Sequence, residues 1–408
     1  MQVKDRLTYS MLMVKGYLTR AYSSFISHVF DVPPRLLAFL CLLIMLVLPV
    51  SGIDLRTLTF ASVLAILALS WDLLVGRTGQ VSLGHAFFFT IGAYCSALLN
   101  KFYGPSIAQI GIPAHIITII VALAISVPIA MAVGLPALRV KGPYLGVVTL
   151  AISLMAYYFG NWVYLRDITG GSSGIPVPFF FDYLGGSSVR NILEFYFALA
   201  ILFFSAIIIY KIATSKTGIV FISILDNELA SKACGINVIK YKLIAFTISG
   251  FFASLAGCIY AYLLIGRVTP LSFFTTNSFL PITFTFLGGL GTIYGPIAGT
   301  FIYKFIESYA FRDYIKPIMT SGGFASQYDH LINAVFAIII IVMIVKWPRG
   351  IARTIVDKLN DLAKPRGIEE RGPRIWKKYK KEQKEGRFRK IFSKFKKKPK
   401  EKESEVET

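Results

Sequence analysis

The stretch FISILDNELASKACGINVIKYKLIAFTISGFFASLAG, residues 221–257, sets a polar, mixed-charge segment directly against a long apolar run. With the residues just before it, the polar part carries Lys216, Asp226, Glu228, Lys232, Lys240 and Lys242. A second apolar run precedes it, so the segment is a short aqueous insert between two membrane-length blocks. Leu225, Leu229, Ala233 and Ile236 fall at helical spacing, and Gly235 followed by Asn237 supplies a helix stop. The spacing predicts a short helix, a glycine turn and a second short helix leading into a span.

Outward from this stretch the composition sets the class. The 408 residues are 55% hydrophobic and 16% charged, far more apolar than a soluble domain. The apolar residues come in blocks near the roughly 20 residues a helix needs to cross a bilayer. Backbone polar groups must be satisfied inside such blocks, which makes them helices; the short alternating segments of a β-barrel are not seen. The expected fold is all-α, a polytopic integral membrane protein of about ten helical segments, some broken or re-entrant. The blocks run over 36–53, 56–76, 82–100, 114–138, 143–164, 192–210, 243–265, 278–292, 293–310 and 331–347. Residues 278–310 form one apolar run interrupted by Gly288, Gly289, Gly291, Gly295 and Pro296, which reads as a hairpin of two short helices.

Three units follow. Residues 1–35 are a leader, readable as an interfacial helix or a poorly ordered segment, ended by Pro33-Pro34. Residues 36–353 are the membrane domain, with the polar insert at about 211–242, and 354–408 are a basic tail. Residues 361–408 hold 18 Lys or Arg against 9 Asp or Glu. Within RFRKIFSKFKKK, Phe388, Ile391, Phe392 and Phe395 share one helical face, a pattern that suits an anionic lipid surface. A solvated tail is the competing reading, and no nucleic-acid partner is expected. Basic residues before the first block, at Arg77, at Arg139 and Lys141, in the polar insert and after Lys346 all fall on one side. By the positive-inside rule that side, with both termini, is cytoplasmic.

Covalent chemistry is not expected. Cys41, Cys95, Cys234 and Cys258 have no paired spacing, and His28, His85, His115 and His330 are scattered. No nucleotide-binding, hydrolase or metalloprotease motif occurs, so no metal site and no cofactor are expected in this chain.

The polar insert resembles the coupling loop of ATP-binding-cassette importer permeases, and its wording resembles the branched-chain amino acid permeases of the LivM and LivH type. Three more stretches extend the likeness: LALSWDLLVGRTGQVSLGHAFFFTIGAY (67–94), RVKGPYLGVVTLAISLMAYYFGNWVYLRDITGGSSGIP (139–176) and FLPITFTFLGGLGTIYGPIAGTFIYKFIE (279–307). One departure stands out. The wider importer pattern places a glutamate six residues before the loop glycine, where this chain has Leu229, with Glu228 one place earlier.

The resemblance implies a non-enzymatic permease subunit, LivM-like by its length, in the inner membrane. Its implied partners are a LivH-like second permease, two cytoplasmic ATPases that bind ATP and Mg, and an extracytoplasmic substrate-binding protein. Asp226, Asn227, Glu228, Leu229, Ala230, Gly235 and Ile236 would meet the ATPase. Gly79, Ser82, Gly84, His85, Gly288, Gly289 and Gly291 are candidates for the substrate path, since polar groups at membrane depth point to function; helix packing is their competing role. Thr169, Gly170, Gly171, Ser172 and Gly174, in the long 165–191 loop, are candidates for docking the binding protein, against a plain connector. The cargo is expected to be branched-chain or related hydrophobic amino acids, the alternatives being urea or another small polar solute. An ion-coupled carrier is disfavoured because Asp72, Glu194, Lys304 and Glu307 lie near block ends.

Overall fold

The computed structural model describes residues 54–108, 114–140, 144–181, 187–273 and 275–308, with single positions at 317, 334, 338, 342 and 354. The leader, the expected span 36–53 and the basic segment 361–408 lie outside the described residues, as does the expected span 331–347 apart from those single positions. The chain divides into two units, Met1–Lys358 and Leu359–Thr408, and all described residues belong to the first.

Ten α-helices of six or more residues carry the described fold: α1 Leu55–Thr78, α2 His85–Ala108, α3 Ala114–Ala137, α4 Tyr144–Gly160, α5 Ser187–Thr214, α6 Lys216–Asp226, α7 Glu228–Ala233, α8 Val238–Tyr260, α9 Thr275–Gly288 and α10 Tyr294–Phe305. The all-α membrane class holds. Among the described residues four helices (α1, α3, α5 and α8) are long and apolar enough to span a bilayer. A fifth span follows if α4 is joined across a 69° bend to Val163–Ser173. The 14-residue α9 and 12-residue α10 are each too short to cross, as the glycine-broken run 278–310 suggested.

α1 is the axis of the bundle. Its sequence is apolar all round, the signature of a helix enclosed by others, and it packs on α5, α8, α9 and α10. Asp54 caps its start by accepting from Arg56 N at 3.2 Å, and Gly79, in left-handed conformation, ends it. α3, by contrast, leaves Ile116, Ile120, Val121 and Ile125 exposed, as a lipid-facing helix does.

α2 and α8 run parallel and nearly touch. Ser254 Oγ donates to Phe88 O at 2.9 Å, Cys258 Sγ to Gly92 O at 3.2 Å and Tyr262 OH to Ser96 O at 3.2 Å. These are successive i, i+4 rungs, the last at Tyr262 in the π-helical turn Ala261–Ile265 that continues α8, so one face of each helix is clamped along two turns. The approach depends on missing side chains: a Cβ on Gly257 would stand 1.7 Å from Phe89 O. Small residues bring helices together this way in membranes, where no hydrophobic force drives them.

Candidate functional site

The coupling candidate is built from α6, α7 and the start of α8. α5 continues to Thr214, so the aqueous segment proper begins at Ser215, which caps α6 by accepting from Gly218 N at 3.4 Å. α6 buries Gly218, Phe221 and Ile224 and packs on α1, α5 and α8. The break between the two short helices falls at Asn227, not at Gly235 as the leucine spacing suggested. Asn227 is extended (φ −160°, ψ 105°), and its side chain accepts from Ala230 N at 3.0 Å to start α7. Side-chain capping of this kind overrides an otherwise continuous helical pattern.

Gly235 then ends α7 with φ +80°. Gly235 N donates to Lys232 O at 3.0 Å and Ile236 N to Ser231 O at 3.1 Å, the paired bonds of a Schellman stop. No second short helix follows; α8 starts at Val238, with Asn237 accepting from Lys240 N at 3.1 Å.

α7 is held from two sides. Ser231, buried, donates to Ser223 O at 2.9 Å on α6. Glu228 accepts from Lys242 Nζ at 2.7 Å and from Lys232 Nζ at 2.9 Å. The Lys242 bond first, then the Lys232 bond, draw the Glu228 carboxyl from 4.5 to about 2. Glu228 is therefore engaged within the chain, linking α7 to the base of α8. What α7 presents outward is Leu229, 77% exposed, beside exposed Ala230, with Asp226 and Leu225 just before it. Ile236 is half-buried.

Of the substrate-path candidates, Ser82, His85 and Gly291 collect around residues 70–76 of α1, whereas Gly79 lies against Leu225 of α6, Gly84 against the backbone of Thr149 and Gly288 against that of Gly295. Residues 79–84 are not helical and run back beside α1: Trp71 Nε1 donates to Ser82 O at 2.8 Å, and Leu83 N to Thr149 Oγ1 at 3.1 Å. α2 thus opens at His85, level with Ser70, rather than at the expected 82, leaving irregular backbone enclosed by protein. His85 is fully buried, its Nε2 2.9 Å from Ser70 Oγ and 3.3 Å from Ser249 Oγ. Both serine hydroxyls donate elsewhere, to Leu67 O and Ser70 O, each at 2.7 Å. Nε2 must then carry the proton, which leaves Nδ1 a bare acceptor. Neither Nδ1 nor Ser82 Oγ has a partner among the described residues.

The second glycine stretch reaches α1 from the other side. Gly291 N donates to Asp72 Oδ1 at 2.7 Å, and Asp72 is buried. Gly288 and Gly289 are buried and Gly291 is half-buried, while Gly79 is exposed. Gly76 lies against Gly291, where a Cβ would meet Gly291 N at 2.7 Å. By sequence Asp72 falls near the end of an apolar block; in the structure it is a buried residue inside α1. Its one clear signal is a lone carboxylate in an apolar helix.

The docking candidates stand apart, by the far end of α2. Tyr94 OH donates to Thr169 O at 3.4 Å and Lys101 Nζ to Asp167 O at 3.2 Å. They do not form a free loop. Two short strands, β1 Ile175–Pro176 and β2 Arg267–Val268, pair antiparallel, and Arg267 Nη1 donates to Ser173 O at 2.6 Å. Ile175, Val177 and Phe180 are buried. Gly171 and Gly174 are buried too, Thr169 and Gly170 are half-buried, and Ser172 alone of the five is exposed. Among the described residues no His, Cys, Asp or Glu cluster could hold a metal ion.

Comparison with known proteins gives a consistent result. A family model described as the branched-chain amino acid transport system permease component matches residues 54–345. The chain is 29% identical over 299 residues to the high-affinity branched-chain amino acid transport system permease protein LivM of Escherichia coli, covering 66% of each chain. It is 29% identical over 275 residues to the same-named protein of Salmonella typhimurium, covering 60% of each. The guanosine ABC transporter permease protein NupQ of Bacillus subtilis is 27% identical over 218 residues, 50% of this chain and 65% of that one. The chain thus spans less than two thirds of the length of these relatives. No solved structure matches it.

Proposed function

The chain belongs to the family of branched-chain amino acid transport permease components, and from that premise we propose that it forms half of the translocation path of an ATP-driven importer. Its cargo is a branched-chain or related hydrophobic amino acid, and a second permease supplies the other half. Hydrolysis takes place on two partner ATPases, which carry the ATP and Mg. An extracytoplasmic binding protein delivers the substrate to the end of the bundle where Ser172 is exposed.

The observation that carries this reading is α7. A six-residue helix is too short to persist alone, yet it is capped at both ends, bonded to α6 and bridged to α8, and it projects an apolar side chain, Leu229, into water. Together with exposed Leu225, Leu229 gives the anchored polar segment an apolar patch, which supports a partner contact there. Set on the cytoplasmic side, it would meet the ATPase, with Leu225, Asp226 and Ala230 completing the contact. Both termini would then share that side, and the basic tail would rest on anionic lipid.

Purification of the chain with a second permease, two ATPases and the binding protein, followed by reconstitution, tests the proposal. ATP-dependent uptake of radiolabelled leucine is expected; uptake that persists without the ATPases would refute it. The likeness to NupQ supports a second reading, an importer of a nucleoside-like solute, and guanosine uptake in the same vesicles separates the two.

A further inference from the structure

We propose that Lys304 and Glu307 form a subsite for the charged head of an α-amino acid, at the end of the bundle opposite α7. This rests on the reading of the chain as an amino acid importer and adds to it a place of recognition. Lys304 is buried in α10, a short helix of the membrane domain. Charged side chains in such segments are costly and commonly mark a substrate or ion pathway.

Its ammonium lies 4.1 Å from the centre of the Phe60 ring and pairs with a Glu307 carboxylate oxygen. The two partners differ in access: the Lys304 side chain is 9% exposed and that of Glu307 34%. The pair therefore has a sheltered cation and an accessible anion. Ser308, next to Glu307 in the chain, has its Oγ 3.4 Å from Thr57 Oγ1, which also donates to Asp54 Oδ2 at 2.9 Å, so further polar atoms stand beside the pair.

The head of an α-amino acid carries the same two charges on neighbouring atoms. Its carboxylate can take the place of Glu307 on Lys304 while its ammonium is received by Glu307. One ion pair becomes two, with no charge left unpaired, which keeps the exchange tolerable in a poorly hydrated place. The Phe60 face holds the lysine ammonium in position throughout.

The location fits import. α10 runs antiparallel to α1, with its glycine turn at Asp72 and its other end at Thr57. Thr78, at the α6 end of α1, is about 27 Å from Phe60 at the rise of an α-helix. The pair sits at the end that would receive substrate, not the end where ATP would act.

The test is equilibrium binding of radiolabelled leucine to the assembled, reconstituted complex with no binding protein added. The competitors are 4-methylpentanoate, which lacks the ammonium, and isopentylamine, which lacks the carboxylate. Lys304→Met should weaken leucine binding at least tenfold and erase the preference for leucine over the amine. Glu307→Gln, at the more exposed position, should erase the preference over the carboxylate. It also serves should Lys304→Met fail to assemble. Assembled variants that bind leucine like the parent overturn the subsite, as does a wild-type complex that takes up leucine yet binds none. A wild-type complex that takes up no α-amino acid overturns the importer reading itself, and the subsite with it.

Discussion

Gly235 offers the cleanest separation of coupling from folding. Its φ is +80°, a conformation that costs a residue with a Cβ about 1–2 kcal/mol, and a β-branched side chain resists it further. A Cβ placed there meets nothing within 4 Å, so no packing penalty is added and the spans feel no strain. Gly235→Val therefore acts on the Schellman stop alone. About 2 kcal/mol shifts a local equilibrium roughly 30-fold, and α7 has only six residues to resist. Its last turn should fray and Leu229 should lose its fixed direction. In the reconstituted complex, substrate-stimulated ATP hydrolysis and uptake should fall together, while the thermal midpoint stays within a degree or two of the parent. Gly235→Asn, which tolerates the left-handed region, should retain most of both activities. A Gly235→Val complex that assembles and couples normally would show that the end of α7 transmits nothing.

Other changes probe the remaining joints. Gly257→Ala forces a methyl into Phe89 O and should lower the thermal midpoint by several degrees. In Gly104→Ala the new methyl meets only the flexible Asn100 side chain, so the midpoint should hold or rise; equal midpoints would contradict the α2–α8 contact. Asp72→Leu strands Gly291 N and should cost about 1–3 kcal/mol, whereas Asp72→Asn keeps an acceptor and should cost far less, as denaturation of the purified protein would report. The Glu228 carboxyl is lowered from 4.5 to about 2 in the folded state, so its contribution is complete above about 4.5 and is lost as pH falls toward 2. Hydrogen exchange of the α7 amides should accelerate across that window, modestly because the pair is partly exposed, and Glu228→Gln should abolish the dependence.

The membrane blocks were legible because bilayer length and apolarity are local properties. The block 56–76 became Leu55–Thr78, and 114–138 became Ala114–Ala137. What was hidden depends on distant partners. The start of α2 slips to His85 because Trp71 and Thr149 bind the backbone of Ser82 and Leu83, contacts that apolar patterning does not show. Leu225 and Leu229 look like one helical face, yet the Asn227 side chain cuts the helix between them. Residues 169–176 read as a loose loop because Arg267–Val268, which pairs with Ile175–Pro176 and bonds Ser173 O, lies almost a hundred residues away. Conversely, Gly235 was readable as a stop because a Schellman motif is completed within six residues.

Those distant contacts also tie the aqueous segment to the buried one. Lys242 holds Glu228 of α7 with its ammonium, and its carbonyl accepts from Gln80 Nε2 at 3.3 Å. Leu225 of α6 lies against Gly79, where a Cβ would come within 3.0 Å. The near end of the 79–84 segment is thus bonded to the base of α8 and packed on α6. Its far end is fixed as well: His85 meets Ser249 of α8, and the Ser254, Cys258 and Tyr262 rungs bind α8 to the helix that His85 begins. Because α8 grips this segment at both ends, a displacement of α7 passed through Lys242 cannot leave Ser82 and His85 behind unless one of these bonds breaks. Gln80 makes the near-end contact of that grip. Its amide also donates to Thr78 Oγ1 at 2.7 Å, so Gln80 joins the end of α1 to the base of α8. Closely packed elements shift between discrete arrangements rather than stretching, so a shift of α7 would either carry residues 79–85 with it or break the Gln80 or the His85 contact to α8, each 3.3 Å long.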